Sequence, residues 1–177
     1  MQVLITEQQI HDRVRELGQQ ISEDYAGRSL TVVGVLTGSL VLLADLIRAI
    51  SLPLRVSFVS ASSYGGTRTT AGELSTDRSL LADLSGRDVL LIDDIFDTGR
   101  TISRLLSELQ ATQQPASLKT AVLLWKTERT ELPFQPDYVG FQIPDHFVVG
   151  YGLDYNEQYR QLPYIGIPDP EDLARAM

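Results

Sequence analysis

Apolar positions along the chain keep two different spacings, and each change of spacing marks the boundary of an element. Thr6 followed by Gln9 makes a capping-box start, and Ile10, Val14, Leu17 and Ile21 then recur on one helical face. This spacing predicts a first helix ending near Gly27, with His11 on the opposite, solvated face. The run "LTVVGVL" (Leu30 to Leu36) is short and β-branched, the pattern of a strand buried on both faces. "TGS" punctuates it, "LVLLADLIRAI" returns to helical spacing, and "RVSFVSA" (Arg55 to Ala61) reads as a second strand after the "SLPL" break. From Ser62 to Arg78 the chain is polar and rich in Gly, Thr and Ser, which predicts a long loop of the kind used as a functional lid. Beyond it come a strand (Asp88 to Ile92), a helix (about Thr101 to Gln110) and strands over Leu118 to Trp125 and Tyr138 to Ile143. Strand and helix in alternation predict an α/β fold around a parallel sheet with right-handed crossovers.

Composition narrows the choice of partner. The 177 residues suit one domain with a sizeable core. A net charge of −8 supplies no basic field for a nucleic-acid backbone or an anionic membrane, so neither is expected as a partner. An anionic small substrate would need local Arg or Lys, backbone N–H groups or a metal. The absence of cysteine excludes disulfides, thiolate metal sites and a Cys nucleophile, and it fits a reducing compartment. "MQVLITEQQIHDRVRELG" lacks the basic start and apolar core of a signal peptide. The longest apolar stretch, Leu40 to Leu46, is broken by Asp45 and too short to span a bilayer. The expected location is the cytoplasm.

The candidate chemistry sits in "VLLIDDIFDTGRTISRLL" (Val89 to Leu106), where Asp93, Asp94 and Asp97 crowd together at the end of a strand. Ligands of open α/β sheets bind at the carboxyl ends of strands, and a helix start offers unpaired N–H groups to an anion. Gly99 lets a backbone come close, and Thr98 and Thr101 add hydroxyl donors. Three readings compete here: a capped helix beside solvated acids, a Walker-B strand, and a phosphoribosyl pyrophosphate motif. No G-x-x-x-x-G-K-[ST] run accompanies the acids, which removes the nucleotide-triphosphatase version of the second. The third asks for four apolar residues, two acids, two apolar residues, an acid and Thr-Gly-x-Thr, and Val89 to Thr101 matches it at every position.

On that stretch, with "ASSYGG" and "PDHFVVGYGLDYNEQYRQLPYIG", the chain resembles the type I phosphoribosyltransferases, and among them the hypoxanthine-guanine enzymes, over nearly its whole length. The resemblance implies a parallel-sheet, Rossmann-like α/β core in a single domain spanning 1–177. A lid would occupy about 62–78, headed by Ser63 and Tyr64, and a small hood about 144–177 with the N-terminal residues. It implies that Asp93 and Asp94 face ribose hydroxyls and that Asp97 is the general base for purine N7. The turn of Asp97, Thr98, Gly99, Arg100 and Thr101 would hold the 5′-phosphate. Lys126 would bond the 6-oxo group, Phe147 would stack on the ring, and Val148 would offer backbone contacts. Asp154, beside the base, would help hold a second Mg²⁺ at the pyrophosphate, with Arg160 reaching the same anion, and Asp93 and Asp94 would also serve as metal ligands. Thr37, Gly38 and Ser39 would form the pyrophosphate loop, with a cis bond at Leu36–Thr37, and Thr37 stands where the family usually has Arg or Lys. Arg129, in "KTERTE", is a looser candidate for the pyrophosphate, because basic positions vary among relatives there. The expected substrates are phosphoribosyl pyrophosphate and 6-oxopurines, the expected assembly a homodimer or homotetramer. A xanthine-preferring enzyme and an RNA-binding pyrimidine-operon regulator on the same scaffold are the alternatives.

Overall fold

A computed structural model of the chain describes residues 1–63 and 74–176. In chain order its elements are β1 (Gln2–Ile5), α1 (Glu7–Asp24), β2 (Leu30–Leu36), α2 (Leu40–Ala49), β3 (Arg55–Ser63), β4 (Leu74–Asp77) and β5 (Asp88–Phe96). They continue with α3 (Arg100–Gln113), β6 (Ser117–Lys126), β7 (Tyr138–Ile143), β8 (Ile165–Ile167) and α4 (Pro170–Arg175).

The apolar runs form the centre of a six-stranded sheet of order β4-β3-β2-β5-β6-β7, parallel except for β4. Both faces of β2 and β5 are covered. Val32, Leu90 and Ile92 pack with the stripes of α1 and α2, whereas Val33, Leu91 and Val89 pack with Ile102, Leu105 and Leu109 of α3. That double burial is why these strands read as continuous apolar runs. The α1 stripe buries Ile10, Val14, Leu17 and Ile21. Each such side chain contributes about 1.5–3 kcal/mol, more than the ~1 kcal/mol of a cap. Packing therefore holds the helix, and the Thr6–Gln9 box sets where it starts.

The fold is the α/β parallel-sheet architecture expected, with differences at its edges. The first helix stops at Asp24 rather than near Gly27, because the fully buried Tyr25 closes it with an N–H bond to the Ile21 carbonyl (3.0 Å). Both ends of the segment read as a loop are strands, since Ser60–Ser63 of β3 pair antiparallel with β4. Tyr64 and most of the expected lid lie outside the described residues. The strand read as ending at Ile92 runs on to Phe96, so Asp93 and Asp94 lie inside it, with Asp93 paired to Val122 and Ile95 to Leu124 of β6. A two-stranded sheet of β1 and β8, and the helix α4, were not predicted. Strands of four and three residues carry too little periodicity to be seen in sequence. Among the described residues, no helix is long and apolar enough to cross a membrane.

From β2 the chain passes through α2 to β3 on one side, and from β5 through α3 to β6 on the other. The two connections leave in opposite directions, which opens a crevice at the carboxyl ends of β2 and β5.

Candidate active site

A cavity of about 340 Å³ fills that crevice. Its floor is the acid pair of β5. Asp94 N–H donates to Asp93 Oδ1 (3.0 Å), and Ile95 N–H donates to Asp94 Oδ1 (2.7 Å). Burial pushes both carboxyls up. Asp93 stands well above the usual carboxylate range, through loss of water and then through the charge of Asp94. An acid raised in the folded state binds more protons than it does unfolded, so stability falls as pH rises from about 4 through the raised value. Asp93→Asn removes that charge and keeps an acceptor for the Asp94 N–H. Its Tm at pH 7 is expected to exceed that of the parent by a few degrees, the scale on which about 1 kcal/mol moves a chain this long. The gap should close towards pH 4; a lower Tm for the variant at pH 7 would refute the assignment.

The next residues make the turn into α3. Gly99 adopts φ +86°, and a Cβ there would stand 2.6 Å from the Phe96 ring, so glycine alone fits. Ser103 N–H bonds the Gly99 carbonyl (2.9 Å) and, among the described residues, the three N–H groups before it gain only a 3.4 Å bond from Arg100 N–H to Thr98 Oγ1. The Thr101 and Ile102 N–H groups and the positive dipole end of the helix are left for an anion. Asp97, Thr98, Gly99 and Thr101 line the cavity. Arg100 does not; it is exposed and ion-paired with Glu131 (2.6 Å). Beneath the turn, Phe96 meets Trp125 edge-on (6.4 Å between centroids), and Trp125 Nε1 donates to Thr130 Oγ1 (2.8 Å). Trp125 is thus a packing residue under the site.

Thr37 and Gly38 form the facing wall, and the Leu36–Thr37 bond is cis. Gly38 packs so closely on Asp94 that a Cβ would fall 1.7 Å from Asp94 Oδ2. Ser39 turns away. It is fully buried, and both its hydroxyl (2.6 Å) and its N–H (3.4 Å) donate to the Val35 carbonyl. Arg160 reaches the cavity from the C-terminal segment, with Nη1 on Asp154 Oδ1 (3.0 Å) and the Gly152 carbonyl (2.8 Å). Its Nη2 meets Glu157 (2.9 Å), and Asp154 Oδ2 accepts the Glu157 N–H (2.9 Å).

Lys126, Phe147 and Val148 are not on this wall. Lys126 ends β6, is buried, and donates to Asp145 Oδ1 (3.0 Å). Phe147 is 51% exposed, edge-on to Tyr155 at 5.8 Å, while Val148 is buried in the core. Arg129 Nε donates to Asp97 Oδ1 (2.6 Å), and Arg129 Nη1 to Asp145 Oδ2 (3.3 Å). Asp145 escaped the sequence reading. Ser63 closes β3.

The donors suit a hard cation. Asp93, Asp94 and Asp154 offer oxygen ligands to one cavity. Among the described residues, no three acidic, His or Cys side chains gather closely enough to hold a metal alone. Mg²⁺ typically keeps several waters and binds through one or two carboxylates plus substrate phosphates, so this set fits an ion that arrives with a phosphorylated ligand. Four carboxylates and one guanidinium on the wall would otherwise repel such a ligand.

Comparison with known proteins gives the same picture. The phosphoribosyl transferase domain family matches residues 4–156. The hypoxanthine phosphoribosyltransferase of Salmonella typhimurium is 43% identical over 168 residues, 94% of each chain. The bifunctional protein TilS/HprT of Listeria innocua is 45% identical over 96% of this chain, which spans only 26% of that relative's length. A crystal structure of a hypoxanthine phosphoribosyltransferase from Staphylococcus aureus superposes with a TM-score of 0.88 at 43% identity, covering 96% of this chain and 92% of the other.

Proposed function

The chain belongs to the phosphoribosyltransferase family, and on that premise we propose that it moves the 5-phosphoribosyl group from phosphoribosyl pyrophosphate to N9 of hypoxanthine and guanine, in purine salvage. The observation that carries this reading is the single cavity where the Asp93–Thr101 acids and helix start face the Thr37–Gly38 loop and the Asp154–Arg160 pair. It pairs an anion site with carboxylates, as a phosphorylated sugar requires.

In this reading the N–H groups and hydroxyls of Thr98 to Thr101 bind the 5′-phosphate, and the Arg100 N–H exchanges its long bond to Thr98 Oγ1 for the same anion. Asp93 and Asp94 accept from the ribose hydroxyls. Thr37 and Gly38 present backbone to the pyrophosphate, and Ser39 supports that loop from beneath. Lys126 donates to the purine 6-oxo group, Phe147 stacks on the ring, and Val148 contacts the base edge through its backbone. As N9 attacks C1′ and the bond to pyrophosphate breaks, Asp97 takes the N7 proton. Arg160 neutralises charge developing on the departing oxygens. Mg²⁺, held by Asp93, Asp94 and Asp154 with the substrate's own oxygens, would add electrostatic stabilisation of the same leaving group. Ser63 and Tyr64 head the lid that keeps water from the cationic ribose. The reading includes a homodimer or homotetramer working in the cytoplasm.

Steady-state kinetics with hypoxanthine, guanine, xanthine and adenine, at fixed phosphoribosyl pyrophosphate and Mg²⁺, test it. Turnover of the first two, with adenine rejected, is the expected result. Preference for xanthine would reassign the substrate, and no turnover of any purine would remove the reading.

A further inference from the structure

Two side chains assigned to the purine stand on different elements: Lys126 at the end of β6, and Asp97 in the turn after β5. Nothing within either element sets one against the other. A row of four charges does. Lys126 Nζ donates to Asp145 Oδ1 (3.0 Å), Arg129 Nη1 to Asp145 Oδ2 (3.3 Å) and Arg129 Nε to Asp97 Oδ1 (2.6 Å). The signs alternate along the row, and its two ends are the groups that must meet one base. Resting on the proposed reaction, we infer that Asp145 is a positioning residue: its carboxylate, shared between Lys126 and Arg129, holds the ammonium and the Asp97 carboxylate in one frame for the incoming purine.

The surroundings favour this role. The Lys126 side chain is only 10% exposed, and a buried ammonium needs a counter-charge. Parallel register pairs Lys126 with Ile143, so the chain leaving β7 delivers Asp145 to that ammonium. The hydrogen bond from Lys126, and then that from Arg129, hold the Asp145 carboxyl below the usual range, so it stays charged. One donor of Lys126 is taken, which leaves two for a carbonyl oxygen. Arg129 occupies Oδ1 of Asp97; among the described residues Oδ2 makes no hydrogen bond and remains for a proton.

The helical turn Thr127–Arg129 that carries the guanidinium is tied down at its far end. Thr130 Oγ1 donates to the Lys126 carbonyl (3.3 Å), and Glu131 N–H to the Thr98 carbonyl (3.3 Å). The segment therefore straps the phosphate turn to the base side of the site.

Asp97, Arg129 and Asp145 are each about two-fifths exposed, and ion pairs that open contribute little to stability. The effect belongs in base recognition. Asp145→Asn keeps the size and an acceptor for Lys126 but loses the charge. The KM for hypoxanthine is expected to rise roughly ten- to a hundredfold and kcat to fall, with the KM for phosphoribosyl pyrophosphate within about twofold of the parent. Asp145→Glu should recover part of the loss. Arg129→Gln should lower kcat, and the double variant should lose less than the product of the two single losses, because both act through one network.

Parent-like constants for Asp145→Asn and Arg129→Gln overturn the inference. So does an equal rise in both KM values with a fall in Tm, which would mark a folding defect. Should Asp145→Asn fail to fold, the exposed Arg129→Gln decides. A parent protein that turns over no purine defeats the functional reading itself, a result distinct from an active parent with indifferent variants.

Discussion

Asp97→Asn is expected to lower kcat for hypoxanthine by roughly 10²–10⁴-fold, the contribution of a positioned general base. The substitution is close to isosteric. An amide oxygen can still take the Arg129 Nε–H that Asp97 Oδ1 accepts at 2.6 Å, so the turn keeps its anchor. What disappears is the ability to hold a proton. Asp97 stands one residue past the end of β5, at the edge of the cavity, and the anion-binding N–H groups follow it in the chain. Those groups do not depend on its charge. Binding of phosphoribosyl pyrophosphate, measured by calorimetry, should therefore stay within a few-fold of the parent while turnover collapses. Parent-like kcat would show that another group takes the purine proton. A matched loss of sugar binding and turnover would instead assign Asp97 to holding the substrate.

Gly38→Ala is the second large effect, and it follows from space rather than charge. The added methyl would lie 1.7 Å from Asp94 Oδ2 and 2.6 Å from its Cγ, far inside any tolerated contact. Asp94 has little room to yield, since its Oδ1 takes the Ile95 N–H at 2.7 Å and its Cβ is 3.4 Å from the new atom. Either the carboxylate leaves the place where a ribose hydroxyl would meet it, or the Thr37–Gly38 loop retreats from the leaving group. Both outcomes damage the same substrate. The expected result is a loss of about 10²-fold or more in kcat/KM for phosphoribosyl pyrophosphate, on the scale reported for angstrom-level misplacement of a reacting group. The clash is at the cavity wall, so Tm should change by only a few degrees. Unchanged kcat/KM for that substrate would mean that the loop and Asp94 do not act together.

The strand, the tight turn and the start of α3 were legible from Val89 to Thr101, because they are local structures built by neighbouring residues, although the strand runs four residues further than read and takes in Asp93 and Asp94. The apolar runs of β2 and β5 and the stripe of α1 were legible for the same reason: period and burial go together. The sequence also carried the resemblance that named Asp154 and Arg160 as candidates, and the two lie 3.0 Å apart on one wall of the cavity. Less was legible where a residue's partner lies far along the chain. Ser39 reads as a loop donor in sequence but spends its hydroxyl and its N–H on Val35. Arg100 sits inside the phosphate turn, yet its side chain pairs outward with Glu131.

The sequence by itself determined the order of the central strands and helices from α1 to β7, the apolar runs that mark β2 and β5 as buried strands, and the tight turn into α3, since each is written in the spacing and type of neighbouring residues. Only the tertiary structure decided that Gly38 presses on Asp94, that β1 closes against β8, and that Asp145 joins Lys126 and Arg129 beside Asp97. The reason is register. Which residues face each other across a ladder, parallel in the large sheet and antiparallel for β1 and β8, is set by how whole strands align to bury their apolar sets, and a shift of one residue would turn every side chain to the other face. That alignment depends on the packing of the whole sheet, and no local spacing encodes it.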